Sequence, residues 1–403
     1  MQEDCITKLV NIQGFSVKKT IFSGSEGDLP EVRIYLEREE KRYCCSGCKQ
    51  YYSTYYDSKE HAVKDLPYGK WKKAYLLFDK VRVGCNKCGV TVEALEWVKP
   101  WGRLTKRLEE EVARECRLIQ SIRQVSKRFH LHWEIVKEID REYLKKELNP
   151  PNFDDLEYLV IDEIAIKKRH KYATVVVDAL RRKVLWVVED RTKESLEEFY
   201  RVLGEEGCKR IKAVAMDMWK AYEEVTRRHC PQAEIVYDQF HIIQNYGKVI
   251  DEIRIEEMRK ANEGEKEVFK GTKYLLLSNR ENIDREDHVK LSELLSLNKR
   301  LNTAYVLKDD LKHLWDYTYE GRAESWFREW YKRAIYSHIE PLKRFARSLK
   351  AHIGGILARC RYKINTSLLE GMNNKIKVIK RVAFGFRDME YFFLKVRGAF
   401  GGT

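Results

Sequence analysis

Three acidic residues sit where neighbouring residue types argue against a charge. Asp162 interrupts the apolar run LVIDEIAI (159–166), Asp217 closes a second one in AVAMDMWKAY (213–222), and Glu370 lies far downstream in LLEGMNNKIKVIKRV. Two carboxylates brought together in partly buried surroundings repel unless a divalent cation lies between them. Oxygen ligands and a phosphate substrate suit Mg2+, with Mn2+ as a substitute. Two such ions ~3.5–4 Å apart can activate an attacking oxygen and stabilise a leaving one during in-line phosphoryl transfer.

The third carboxylate comes with its own company. Glu370, Asn374, Lys377 and Arg381 are separated by four, three and four positions, which lines them along one helical face beside Lys380. A carboxylate for metal, then an amide and cations for phosphate oxygens, makes a coherent wall of a DNA-cutting site. From Arg361 to Arg397 nine basic residues stand against three acidic ones, which favours DNA contact. Other acids compete. Glu163 should point to the opposite sheet face by strand alternation, and Asp178 and Asp190 lie beside turns. Asp238, in VYDQFHIIQN with His241 nearby, is the rival for second aspartate. It follows the fifth strand of the core, one step farther from the first, and so reads as a residue that supports the metal ligands or positions DNA.

A second chemistry is carried by sulfur. Cys45-Ser-Gly-Cys48 and Cys85-Asn-Lys-Cys88 are two CxxC knuckles, and each can aim two thiolates at one ion. Together they predict a structural Zn2+ that holds a small domain and does no chemistry. Cys44 adjoins Cys45 and could replace it, although the Cys45–Cys48 spacing is the better match.

The elements that must position these groups can be read from periodicity. Strands are expected at Tyr158–Ile166, Tyr172–Ala179 and Val184–Val188, then helix Ser195–Leu203, strand Ile211–Met216, helix Ala221–His229 and strand Glu234–Tyr237. That order matches the RNase H fold, whose first and fourth strands are neighbours in the sheet centre, so Asp162 and Asp217 would meet. Upstream, Ser121–Ile139 suits a helix-turn-helix: Ile122, Val125 and Phe129 share one face, Leu131 falls in the break, and Ile135, Val136 and Ile139 line the next helix. That second helix would present Lys137 to the major groove. A plain helical hairpin for packing or dimerisation is the alternative.

The expected fold is therefore multidomain α+β. It comprises a zinc-ribbon-like β domain over 1–103, a helix-turn-helix over 104–150, and an RNase H-like core over 151–245 that resumes over 361–403. An α-helical insertion over 246–360 separates the two parts of the core. Pro150-Pro151 marks the linker. The aromatics of the insertion, Trp315, Trp326 and Trp330 among them, read as core rather than as DNA wedges. Its arginines (322, 328, 333, 344 and 347) read as an exposed basic face.

Composition agrees. The 403 residues carry 77 basic and 63 acidic side chains, a net charge of +14, which suggests a polyanionic partner. No apolar stretch reaches the ~18 residues of a membrane span, and no secretory leader is evident, so a cytoplasmic, nucleoid-associated protein is expected. Ten cysteines are too few for a disulfide scaffold.

With those residues in view, the chain resembles the ISL3 family of bacterial insertion-sequence transposases along nearly all its length. The matching stretches are CSGC, KDLPYG (64–69), CNKC, the helix-turn-helix, VIDE, AMDMWKAY, YDQFHIIQN and LLEGMNNKIKVIKRVAFGFRD. The resemblance implies catalytic Asp162, Asp217 and Glu370, and zinc ligation by Cys45, Cys48, Cys85 and Cys88. It also implies recognition of terminal inverted repeats in double-stranded DNA, joining to target DNA, and at least a homodimer. Two other readings remain: a DNA-binding regulator, whose mark would be loss of a core carboxylate, and a nuclease that cuts without joining.

Overall fold

The computed structural model describes residues 2–24, 29–118, 121–148, 153–167, 171–278, 282–364 and 367–400. The expected Pro150-Pro151 linker lies outside them. The chain forms two compact units, one of Met1–Asn149 with Lys377–Ala399, the other of Pro150–Ile376 with Phe400–Thr403.

The first unit opens with helix α1 (Gln2–Val10) and strands β1 (Phe15–Ser23) and β2 (Glu31–Arg38). The pairs β3 (Tyr43–Cys44) and β4 (Tyr51–Tyr52), β5 (Asp57–Asp65) and β6 (Lys73–Cys85), and the short β7 (Gly89–Val92) follow. The main sheet runs β1-β2-β6-β5, with β7 on β6; β2 and β6 are parallel and the other pairs antiparallel. Alternation fixes its buried face: Val32, Ile34 and Leu36 on β2, and Ala74, Leu76 and Phe78 on β6, meet Phe15, Val17 and Val63.

Three helices come next: α2 (Lys106–Arg117), α3 (Ile122–Phe129) and α4 (Trp133–Leu148). Thr105 caps α2, and Ser121 and Gln124 form a capping box on α3. The chain leaves α3 through His130 in the left-handed region, at φ 49°. That turn lets α4 pack back over Leu108, Val112, Val125 and Phe129 through Val136 and Ile139. The expected inward face of α4 needs one correction. Ile135 is 43% exposed, because it sits about 100° around the helix from Val136.

The KDLPYG stretch is a clamp within this unit. Lys64 is buried and its Nζ donates to the carbonyls of Phe129 (2.7 Å) and His130 (2.6 Å), capping the end of α3. Asp65, buried beside it, accepts from Thr105 Oγ1 (2.7 Å), Tyr68 Oη (2.6 Å) and Arg107 Nε (2.8 Å). Sheet and helices are thereby fastened by buried, hydrogen-bonded charges.

Helix α16 (Met389–Ala399), numbered after the helices of the second unit, also belongs here. The sequence grouped 361–403 with the sheet-bearing core, whereas Lys377–Ala399 fall in the first compact unit, where α16 packs on α4. The physical reason is Asp140, a fully buried carboxylate on α4. It accepts from Tyr391 Oη and from Lys395 Nζ (3.0 Å), with Arg117 Nε at 3.8 Å. A buried charge without such partners costs several kcal/mol.

The second unit is built on a five-stranded sheet of β8 (Tyr158–Lys167), β9 (Lys171–Asp178), β10 (Lys183–Glu189), β11 (Ala213–Met216) and β12 (Glu234–Tyr237). Its order is β10-β9-β8-β11-β12; β8–β9–β10 run antiparallel, and β8–β11–β12 run parallel. Helices α5 (Lys193–Arg210, broken at Gly204) and α6 (Lys220–His229) connect β10, β11 and β12. After α7 (Gln239–Lys260), helices α8 to α14 occupy 263–357, and α15 (Ser367–Val382) carries the chain out of the unit. One apolar core runs from Leu159, Ile161 and Val214 of the sheet through Tyr246 to Phe327 and Trp330. Trp330 is buried with its Nε1 donating to Leu307 O at 2.9 Å, and Trp315 and Trp326 pack partly buried against the same core. Arg328, Arg333, Arg344 and Arg347 pair with Glu324, Asp310, Glu252 and Glu340 on the surface.

Candidate active site and metal centre

The parallel registers decide which acids meet. Val160 pairs with Ala215, and Ala215 with Val236. Asp162, Asp217 and Asp238 each lie two residues beyond one of those partners, so the three aspartates stand level on three adjacent strands, Asp217 and Asp238 just past the carboxyl ends of β11 and β12 and Asp162 midway along β8. The backbone N–H of Asp238 donates to Met216 O at 3.1 Å, holding that row together. Strand carboxyl ends in open α/β sheets are where ligands bind.

Each aspartate has a distinct setting. Asp162 is 8% exposed, and burial pushes its pKa up from the usual carboxylate value, although the Asn373 amide opposes the shift by donating to Oδ2 at 2.9 Å. Asp217 is half-buried, with Oδ1 accepting from the Met218 N–H at 2.7 Å. Asp238 caps α7 by accepting from the Phe240 N–H (3.1 Å), and its Oδ2 lies 3.0 Å from His241 Nδ1. The imidazole is raised to about 9, first by that contact and then by the charges of Asp217 and Asp162. His241 is thus the cation that the aspartate row gathers from the protein itself. The donors are hard oxygens of the kind that suit a divalent cation, although among the described residues the oxygens of the three aspartates are not all within 4.8 Å of one another.

Glu370 is exposed in the first turn of α15. Among the described residues, the oxygens of Asp162, Asp217 and Glu370 are not all within 4.8 Å of one another. Asn373, one turn after Glu370, touches the aspartate row through Asp162. Spacing alone selected Asn374, which is exposed. The signal available in the sequence was the doubled Asn373-Asn374, with Asn373 three residues from Glu370. Lys377 and Arg381 are exposed on the same helix, and Lys380 is half-buried. Lys137, on α4 of the first unit, donates to Asp388 at 2.7 Å, as does Arg141.

The competing acids have structural occupations. Glu163 takes both its oxygens to Arg191 (3.0 Å each), whose guanidinium stacks 5.0 Å over Trp219. Asp178 receives the N–H groups of Leu180 and Arg181 in a turn, and Asp190 occupies the left-handed region at φ 73°.

In the first unit, Cys45, Cys48, Cys85 and Cys88 bring their four sulfurs within 4.8 Å of one another. Cys48 and Cys85 Sγ are 3.5 Å apart, and Tyr52 Oη donates to Cys85 at 3.1 Å. Cys44 turns away toward the carbonyls of Cys45 and Lys49. A Cβ on Gly47 would come 2.8 Å from Cys88 Sγ, so the first knuckle needs glycine there. The four thiols do not ionise alike. The Tyr52 hydroxyl holds Cys85 down to about 6, while burial and the neighbouring sulfurs push Cys88 up to about 12. Four converging thiols of this kind are compatible with zinc.

Comparison with known proteins places these features in company. Residues 159–396 match the ISL3 model of DDE transposases, described as a transposase, and residues 93–144 match the helix-turn-helix domain of transposase family ISL3. The chain is 40% identical over 397 residues to the transposase for insertion sequence element IS1001 of Bordetella parapertussis, covering 97% of this chain and 96% of that one. It is 27% identical over 343 residues to the transposase for insertion sequence element IS1557 of Mycobacterium tuberculosis, covering 78% and 76%.

Proposed function

The chain belongs to the ISL3 family of insertion-sequence transposases, and we propose that it cuts and rejoins DNA with Asp162, Asp217 and Glu370 as its metal-binding carboxylates. The sheet order β10-β9-β8-β11-β12 supports an RNase H-like core. The observation that carries the reading is the level row of Asp162, Asp217 and Asp238 on three neighbouring parallel strands.

Mg2+ or Mn2+ ions bound there supply the positive charge that in-line phosphoryl transfer requires. The protein's part is to place the donors. Asp162 and Asp217 would offer oxygens from neighbouring strands, Asn373 orients Asp162, and Asp238 with His241 backs the row. Glu370 completes the set from α15. Water attacks the phosphorus at the element's end and the P–O3′ bond breaks, leaving a 3′-OH. That hydroxyl attacks a phosphodiester of the target, and the displaced 3′ oxygen leaves with a proton. No covalent bond to protein forms at either stage.

The first unit supplies the address. Its helix-turn-helix reads the terminal inverted repeats, a structural Zn2+ on the four cysteines holds the β domain, and a homodimer or larger assembly pairs two ends. Lys377, Lys380 and Arg381 take phosphates along α15, with Asn374 beside them. The test is Mg2+-dependent strand cleavage of duplexes that carry the DNA ends bracketing the gene. Asp162→Asn should bind that DNA as the wild type does and leave it uncut; cleavage at the wild-type rate would overturn the assignment.

A further inference from the structure

Phe384 is 96% exposed, the most exposed of the large apolar side chains among the described residues. Its backbone is as unusual as its exposure. Helix α15 ends in a Schellman motif: the Phe384 N–H donates to Arg381 O and the Gly385 N–H to Lys380 O, both at 2.9 Å. Phe384 therefore occupies the left-handed position of that motif, at φ 55°, where glycine is the usual residue. Glycine is present one step later, at 385. A bulky aromatic in this conformation is strained and, so exposed, recovers almost nothing from burial.

The turn that bears it is nonetheless well anchored. Phe386 packs on Phe392 and Tyr391, with ring centroids 4.8 Å and 6.0 Å away. Asp388 caps α16 through the Tyr391 N–H and accepts from Lys137 and Arg141 of α4. The same compact unit thus carries the helix-turn-helix and, fixed to its second helix, a rigid tip with one aromatic ring in solvent. Arg381 and Arg387, three positions to either side of Phe384 in the chain, are both exposed. An extended apolar surface would suit a protein partner, but a single exposed ring on a turn that also carries exposed arginines suits a nucleic acid: cations take phosphates and the ring takes a base.

We propose that Phe384 is a wedge that stacks on an unpaired or opened base of the element's terminal DNA. This rests on the DNA-end reading above and adds to it the group that stabilises the opened base. Such stacking contributes roughly fivefold to a hundredfold in affinity per base.

The full-length protein should be titrated onto duplexes of the terminal repeat carrying 2-aminopurine at each end position in turn, with binding followed by gel shift in the same samples. Wild type should raise the fluorescence at one or two positions, Phe384→Ala should bind without that rise, and Phe384→Trp should restore an altered stacking signal. Phe384→Gly should fold with an unchanged or higher Tm and still lack the rise, which separates stacking from stability. An equal rise with Phe384→Ala, or no rise from wild type that shifts the DNA, overturns the wedge while leaving the DNA reading intact. An unchanged rise together with loss of self-association by Phe384→Ala overturns it in favour of a second copy of the chain. Failure of the wild type to shift the terminal duplex at all is failure of the underlying reading, and the wedge falls with it.

Discussion

The Asn373 amide donates to Asp162 Oδ2 at 2.9 Å, joining α15 to the central strand of the sheet across 211 positions of chain. Asn373 sits one helical turn from Glu370, so the contact sets how near that glutamate can come to the aspartate row. It also holds one oxygen of a carboxylate that burial already disfavours in its charged form.

Removing that amide should show as a loss of alignment rather than of fold. Asn373→Ala is expected to lower cation affinity and cleavage by about 10- to 100-fold, the usual cost of losing a group that orients a metal ligand. Asn373→Asp should be worse, because it sets a like charge against Asp162. Calorimetric Mn2+ titration beside a cleavage assay checks both, and wild-type affinity in Asn373→Ala would refute the role.

For the cysteine cluster the informative comparison is between adjacent residues. Cys45→Ser should lose bound zinc and melt the β domain early, whereas Cys44→Ser should keep one zinc per chain, since its sulfur faces carbonyls outside the cluster. Metal analysis and a thermal melt on each variant settle the matter.

His241 gives a pH dependence of known sign. Its pKa is raised to about 9 in the folded state, chiefly by Asp238, from about 6.5 unfolded. The stabilisation is therefore full below pH ~6.5 and is lost as pH rises through about 9. Melts without added Mg2+ should show Tm falling across that window, and His241→Gln should flatten the fall. A slope of the same size in His241→Gln would point to another group.

Lys64→Met should destabilise the first unit by about 1–3 kcal/mol, because it leaves the buried carbonyls of Phe129 and His130 without their donor. Urea unfolding measures this. End binding should weaken with it, since the same ammonium fixes the turn between α3 and α4.

Much of the site was legible because it violates composition locally. A charge inside LVIDEIAI has few innocent explanations, and the strand and helix periods around it give β8 to β12 within a few residues of their observed limits. What escaped depends on packing between distant segments. That Asn373 reaches Asp162 depends on the rotation of α15 about its axis, which no local period supplies. The place of Ile135 turns on which side of α4 meets α2 and α3. The choice of Cys45 over Cys44, by contrast, was legible in the CxxC spacing, and its sulfur does join the cluster. Phe384, between Ala383 and Gly385, has nothing in its neighbours to say that it is exposed.

The buried Asp140 has a consequence for how the protein is made. Tyr391, which satisfies it, is translated 251 residues later, an interval of roughly 12 to 50 seconds on a ribosome. Until then the helices meant to recognise DNA hold a carboxylate with part of its shell missing, and their fold stays incomplete. A chain cut short by a stop codon or protease would reach DNA with a poorly formed reading head, so intactness of the product is checked by the same residues that build it.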